Sequence, residues 1–433
     1  MISDCKHLFI GLSRRSTGEA SYMIKQLSSL SSLENVLLVV NRTLENVVAS
    51  YKGKKSFHDM TGMPFQDILA ELRDFFKNFK TVTLIDINAF FLEYNIREHQ
   101  RNDFLYFLEE IHNSGIIVSI VDYFGTCTLS EEEYTKRLYA ARERIKSKIQ
   151  GILVTTRIGY YLRKFIPERM EIQLIPPLKG PLIIRPIPLN REEVWNNRVI
   201  GYKNLLGIVP RKREKKNRKT VFVGLSRFFE YTVEHLIIRN LCKGIFFKLK
   251  EVLDIERIVC IDPFSCIEGI DLPKGMRLET YKWLEAGNLE QILEEALFAG
   301  LFIPYGTVGT LALNCGVPFV SFYASTSSVL SDNFRSLMNG QLFPGFYGLG
   351  IWEDEIYFPD LAYSNPYFNS VSFCDICDSH AFINLANDFK NGIAEERVQH
   401  YQNWVTTLNT PLFSSCFDYI SHLSYKAKIG GNC

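Results

Sequence analysis

Apolar residues fall along this chain in short, nearly continuous runs separated by stretches whose apolar positions recur at helical spacing. His7–Leu12, Val36–Val40, Thr81–Ile87, Gly115–Val121 and Gly151–Thr155 are runs of strand length. Between them lie helical patterns ending near Leu27 or Leu30, over Phe65–Phe76, over Phe104–His112, and over the charged stretch Ser130–Lys148. This alternation predicts a mostly parallel sheet rather than a sandwich, because parallel strands need crossover helices. Between Pro167 and Pro210 the pattern loosens. Pro176, Pro177, Pro181, Pro186 and Pro188 exclude a helix interior and most central-strand positions, as expected for edge elements and a crossover between domains.

The second half restarts the same alternation. Val223-Gly-Leu-Ser-Arg227 repeats Ile10-Gly-Leu-Ser-Arg14, each time closing a domain's opening strand. A helix over Val233–Cys242 and strands at Arg257–Ile261 and Arg277–Thr280 follow. The most informative stretch is Ala296–Tyr323, with a helix over Leu289–Leu297 leading into it: a strand ending at Phe302–Pro304, a turn Gly306-Thr-Val-Gly-Thr310 opening a helix through Cys315, and the strand Phe319–Tyr323. Val308, Leu311, Ala312 and Cys315 predict one buried helix face. Beyond Tyr323 comes a glycine- and aromatic-rich tract with Trp352, Tyr357 and Tyr363, either a closing loop or a packed surface excursion. Helices are expected over Ala381–Phe389, Glu395–Leu408 and Phe413–Leu423. The expected domains are residues 1–205 and 220–410, with a basic linker at 206–219 and a C-terminal helix, 411–433, packing across both.

A length of 433 residues fits two cores of this kind. The chain is 46% apolar and 22% charged with a net charge of +1, which offers no general attraction for nucleic acid or an anionic membrane. The run Arg211-Lys-Arg-Glu-Lys-Lys-Asn-Arg-Lys219 lacks the interleaved aromatics of a nucleic-acid face and reads as a solvated loop, or as steering for an anionic substrate. Ten cysteines in a chain this long, several in apolar runs, read as reduced small hydrophobes. No apolar span reaches membrane length and the start has no signal-peptide pattern, so a cytoplasmic protein is expected.

Candidate chemistry concentrates at strand ends. Ser226, Arg227, Gly306, Thr307, Gly309 and Thr310 read as the best anion site, with a guanidinium fork, hydroxyls and backbone N–H groups at a helix start, or else as turns that only join sheet elements. A nucleotide diphosphate is the ligand size expected of two such loops. Glu19 follows Gly18 as the first helix begins and serves either as general base or as a favourable first-turn carboxylate. His58 lies in the loop after the second strand, and Asp86 and Asp122 end consecutive strands; all three are candidate acid/base groups. No P-loop, dinucleotide fingerprint, serine elbow or H-E-x-x-H is present. Cys374-Asp-Ile-Cys377 has no second ligand pair for zinc, so no metal is expected.

These features resemble the GT-B type of glycosyltransferases, which have two Rossmann-like domains facing a cleft. The resemblance rests on Gly306-Thr-Val-Gly-Thr-Leu-Ala-Leu-Asn-Cys-Gly-Val-Pro318, similar to that family's donor-binding helix and strand entry, and on Gly11 to Glu19, similar to its glycine-rich first loop. It implies an N-terminal acceptor side and a C-terminal nucleotide-sugar side. Gly11, Gly18, Ser226 and Arg227 would lie by the donor, and Asp332 and Asn333 would hold donor-sugar hydroxyls. The implied co-substrate is a nucleotide-diphosphate sugar, with no bound cofactor; the acceptor is undefined, and a homodimer is left open. One departure stands out: where many such enzymes place a ribose-binding glutamate, this chain has Leu311, which accepts no hydrogen bond. A sugar-nucleotide epimerase or hydrolase, or a non-catalytic binding protein, are the alternatives of the same fold.

Overall fold

The computed structural model describes residues 6–14, 17–94, 96–121, 129–150, 175–185, 199–201, 218–225, 235–263, 265–302, 307–323, 366–376, 380–407 and 416–423, with Cys127 and Asp378 besides. The chain divides into two compact units. One comprises Met1–Tyr139, Glu168–Gly207 and Leu408–Cys433; the other comprises Ala140–Pro167 and Ile208–Thr407.

The first unit is built on β1 (His7–Ile10), β2 (Val36–Asn41), β3 (Lys54–His58), β4 (Thr81–Leu84), β5 (Ile117–Val121), β6 (Leu182–Arg185) and β7 (Val199–Gly201). They form one sheet in the order β3-β2-β1-β4-β5-β6-β7, with every pair parallel. Every residue of β1, β2 and β4 is buried, as a strand covered on both faces requires. The crossovers include α1 (Thr17–Leu27), α2 (Phe65–Phe76), α3 (Ile87–Glu93) and α4 (Glu98–Asn113), while α5 (Glu131–Gln150) is divided between the two units after Tyr139. In α2 the buried residues are Ile68, Leu69, Leu72 and Phe76, one face at helical spacing. Burying each stabilises the unit by about 1.5–3 kcal/mol before entropy is counted.

The sequence pattern carries the third strand through Ile87, but the strand stops at Leu84 and Ile87 opens α3. The cause is aromatic packing. Phe90 and Phe91 are fully buried, and Phe90 lies 5.3 Å from Phe104 of α4, so the apolar run after β4 serves a helix rather than a longer strand. His58 is likewise the last residue of a strand, not a loop residue: Lys-Lys-Ser-Phe-His is an edge strand too polar to announce itself. Helical residues 416–423 return to this unit, where the Phe417 ring lies 4.9 Å from His7 and 5.9 Å from Phe9 of β1.

The second unit repeats the plan with β8 (Thr220–Gly224), β9 (Arg257–Ile261), β10 (Arg277–Tyr281), β11 (Ala296–Leu301), β12 (Phe319–Tyr323) and β13 (Val371–Asp375). Its sheet is parallel throughout, in the order β10-β9-β8-β11-β12-β13. Its helices are α6 (His235–Leu253), α7 (Ala286–Glu295), α8 (Thr307–Asn314), α9 (Pro366–Asn369), α10 (Ala381–Asn391) and α11 (Ile393–Thr407). The helix expected to reach Leu297 ends at Glu295, because Ala296 already belongs to β11. Cys374 packs in the core as part of β13. The strand expected at Gly151–Thr155, the basic run through residue 217 and the tract 324–365 lie outside the described residues.

In both sheets the opening strand is central, with the second and third strands on one side and the fourth onward on the other. This is the doubly wound order, in which the chain reverses direction across the sheet beside the opening strand, and ligands bind at the carboxyl ends of the strands there.

Candidate functional site

The residues that follow β1 form a tightly held turn at that reversal point. Gly11 N donates to Val39 O at 2.9 Å, the last strand-like bond. The next two N–H groups go to a side chain: Leu12 N donates to Asp86 Oδ1 at 2.8 Å and Ser13 N to Asp86 Oδ2 at 2.9 Å. Gly11 makes this approach practicable, since a Cβ there would lie 3.3 Å from Ile85 Cδ1 and 3.4 Å from Asp86 Oδ2. Asp86 is only 2% exposed, so its charge relies on these donors.

A second carboxylate holds the following residues. Glu93, its side chain 4% exposed, accepts from Ser13 Oγ at 2.6 Å and Arg14 N at 2.9 Å through Oε2, and pairs with Arg14 Nε at 2.7 Å through Oε1. Phe90 and Phe91 anchor α3 in the core, and this fixes where Glu93, at the end of that helix, can reach. From the other side Thr43 Oγ1 donates to Arg14 O at 2.9 Å, while Asn41 Oδ1 accepts Thr43 N at 3.0 Å. The turns after β1 and β2 and the helix after β4 therefore meet at Arg14. Nearby, burial and the Glu93 charge push the Tyr94 hydroxyl up to about 12. Hydrogen bonds from Thr61, with help from Arg42 and Arg14, hold the Asp59 carboxyl below its ordinary range.

Of the expected site residues, Asp86 and Gly11 are thus brought together, with both Asp86 carboxylate oxygens engaged by the backbone. His58 is elsewhere: its Nδ1 lies 3.2 Å from Glu71 Oε1 of α2 and its ring 4.9 Å from Phe75. Two strand spacings, about 10 Å, separate β3 from β1. Gly18 and Glu19 fall in the first turn of α1. Asp122 lies outside the described residues.

In the second unit the corresponding turn follows β8. Gly224 is still a strand residue, paired with Ile261 and Leu301, and a Cβ on it would lie 2.5 Å from Leu301 Cδ2. Leu225 N donates to Ile261 O at 3.0 Å, so the strand pattern runs one residue further than in the first unit. Ile10 faces Leu84 in the first sheet and Val223 faces Gly300 in the second. Counting two residues on from each partner gives Asp86 in one unit and Phe302 in the other. Phe302 is 2% exposed, with its ring 5.8 Å from Phe322.

Thr307 opens α8, as expected. The helix ends with Gly316 at φ +77°, where Gly316 N donates to Leu313 O and Val317 N to Ala312 O, a Schellman termination. The expectation of one buried face was too narrow. Thr310, Leu311, Ala312, Leu313 and Asn314 are all buried, because α11 covers the outer side, with Gln402 Nε2 donating to Leu313 O at 3.0 Å. Gly309 has a packing reason: a Cβ there would come within 2.6 Å of the Phe319 ring. Leu311 is 2% exposed and faces the core. Ser226, Arg227, Gly306, Asp332 and Asn333 lie outside the described residues.

Among the described residues, no group of three or more histidine, cysteine or acidic side chains is arranged to hold a metal, and no helix is long and apolar enough to cross a membrane. Sequence reasoning missed Glu93 and Arg14. Arg14 stood out only as the end of the repeated Ile10–Arg14 run, and Glu93, beyond the apolar run Thr81–Ile87, carried no local signal.

No family model and no curated protein matches this chain. Solved structures do. Spinosyn forosaminyltransferase SpnP is similar over 97% of this chain and 99% of its own, at 10% identity and a TM-score of 0.51. The glycotransferase of kitacinnamycin aligns over 97% of this chain and 99% of its own, with 14% identity and a TM-score of 0.49. Glycosyltransferase SnogD from Streptomyces nogalater aligns over 96% and 99%, with 11% identity and a TM-score of 0.42. The first of these likenesses, with the two doubly wound sheets, establishes a GT-B-like fold of two Rossmann-like units.

Proposed function

We propose that this protein is a glycosyltransferase that moves a sugar from a nucleotide-diphosphate sugar to an acceptor, with the donor on the second unit and the acceptor on the first. The observation that carries the assignment of sides is the contrast between the two Gly-Leu-Ser-Arg turns. A turn after a sheet's opening strand receives a diphosphate through backbone N–H groups. In the first unit two of those groups already serve Asp86, and a diphosphate would meet two buried carboxylates there. At the position equivalent to Asp86 the second unit has Phe302, which brings no negative charge. The fold supports the reaction class at the level of architecture alone.

In this reading Arg227, Ser226, Gly306 and the start of α8 at Thr307 neutralise the diphosphate as it leaves. The acceptor hydroxyl attacks the anomeric carbon, the bond from that carbon to the diphosphate oxygen breaks, and the hydroxyl proton passes to a base. Glu19 and Asp122 are the candidates for that base; Asp86 is committed to the backbone and His58 to Glu71. Leu311 favours a second reading, a non-catalytic binding protein of the same fold, because its buried side chain offers the ribose nothing. Incubating the pure protein with a panel of nucleotide sugars separates the two. Release of free nucleoside diphosphate in the presence of an acceptor supports the transferase. Binding without release supports the second reading, and no binding of any member refutes both.

A further inference from the structure

Arg14 is held in a way that a surface arginine seldom is. Its backbone N–H goes to Glu93, its carbonyl accepts from Thr43, and its Nε pairs with Glu93 Oε1 at 2.7 Å. The side chain nevertheless remains 37% exposed, and among the described residues its two Nη groups have no hydrogen-bond or ion-pair partner. An arginine whose backbone is held on both sides and whose Nε lies against a buried carboxylate, in an ion pair that is not aligned as a hydrogen bond, presents its Nη groups with part of the conformational cost already met. It stands at the reversal point of the first sheet, where the turns after β1 and β2 and the helix after β4 converge and where doubly wound sheets take their ligands.

Glu93 is already engaged within the turn. Its two oxygens serve Ser13, Arg14 N and Arg14 Nε, and its burial keeps it from competing for the exposed fork. The neighbouring Asp59 accepts from Thr61 N at 3.0 Å and forms no ion pair with Arg14. A bidentate fork of this kind matches the spacing of two oxygens on one carboxylate or phosphate, and matches a neutral hydroxyl poorly.

We propose that the ligand taken by the first unit carries a carboxylate or phosphate group, that Arg14 binds this oxyanion through its Nη groups, and that Glu93 is the positioning residue that aims it. The proposal rests on the transferase reading only in calling this ligand the acceptor; the oxyanion site itself does not depend on that reading.

The test uses the full chain and peptide-resolved phenylglyoxal labelling, which modifies the Nη groups of arginine. Rates are compared in chloride, acetate and inorganic phosphate at constant ionic strength. Phosphate or acetate is expected to slow labelling of Arg14 by about fivefold relative to chloride, as a bidentate charge-assisted contact should, while Arg73, which pairs with Glu110 on the surface, is unaffected. The anion that protects more strongly identifies the group. Equal rates in all three salts, or equal protection of Arg73, would overturn the site. Glu93→Gln is expected to weaken the protection while leaving the nucleotide-sugar panel's binding as in the wild type; undiminished protection would refute the positioning role. The wild-type rates stand by themselves if that variant does not fold. Protection of Arg14 with no nucleotide-sugar binding would uphold the oxyanion site and overturn the transferase reading. Release of nucleoside diphosphate in the presence of an acceptor, without protection of Arg14, would do the reverse.

Discussion

The same four residues, Gly-Leu-Ser-Arg, come at the end of the opening strand of both sheets, yet the two strand ends are built differently. In the first unit the strand pattern ends at Gly11, and Asp86 takes the next two N–H groups. In the second the pattern runs on through Leu225, and the position equivalent to Asp86 is Phe302. A one-residue difference in strand length and one carboxylate distinguish the two: in the first unit the N–H groups of Leu12 and Ser13 are already taken. Identical local sequence therefore does not carry identical chemistry; what stands opposite, about 75 residues further along in each unit, decides it.

The sharpest way to break this contrast is to remove Asp86. Asp86→Leu leaves the N–H groups of Leu12 and Ser13 buried and unpaired, which is expected to cost about 3 kcal/mol, read from urea unfolding. A cost below the level of a surface substitution would mean that the carboxylate does not organise the turn.

Acidity distinguishes the units next. Counting back from the two motifs pairs His7 with Thr220. His7 is 8% exposed with Nδ1 2.8 Å from Thr81 Oγ1, and burial, with Lys80 and Lys6, lowers its pKa from 6.5 to about 4. The folded value is depressed, so the folded state favours the neutral ring. The associated stability is fully present above pH 6.5 and is lost as the pH falls toward about 4. The loss approaches about 3 kcal/mol and belongs to the first unit, where the ring also packs on Phe417. Thr220 has no proton to gain. His7→Gln should flatten the stability profile across this pH window in chemical denaturation; an unchanged profile would remove the effect from His7.

A smaller effect is expected in the second unit. Gly309→Ala places a methyl group within 2.6 Å of the Phe319 ring and should cost about 1–3 kcal/mol, seen as a lower thermal midpoint. Stability equal to wild type would show that α8 has room to shift, and would return Gly309 to the list of ligand-facing glycines.

The architecture was largely legible because strands buried on both faces leave unbroken apolar runs. The patterns over Phe65–Phe76 and Phe319–Tyr323 coincide with α2 and β12 residue for residue. Elements whose pattern mixes two environments were not legible. β3 is a polar edge strand, and Val-Ser-Phe-Cys-Asp of β13 drew notice for its cysteine rather than its alternation. α3 was hidden because Ile85 and Ile87 prolong the apolar signal of β4 past its end. For the site, the location of Asp86 was readable but its partners were not. Contacts such as Ser13 to Glu93 join residues 80 positions apart, and no local spacing encodes them.

The central claim, that the diphosphate belongs to the second unit, is tested most directly by one calorimetric comparison. Binding of the best nucleoside-diphosphate sugar from the panel is measured for the wild type, Arg227→Ala and Arg14→Gln. The account predicts a loss of about tenfold or more in affinity for Arg227→Ala, as removing a charge-assisted phosphate contact implies, and wild-type affinity for Arg14→Gln. Loss in Arg14→Gln with Arg227→Ala unchanged would place the donor on the first unit and contradict the account.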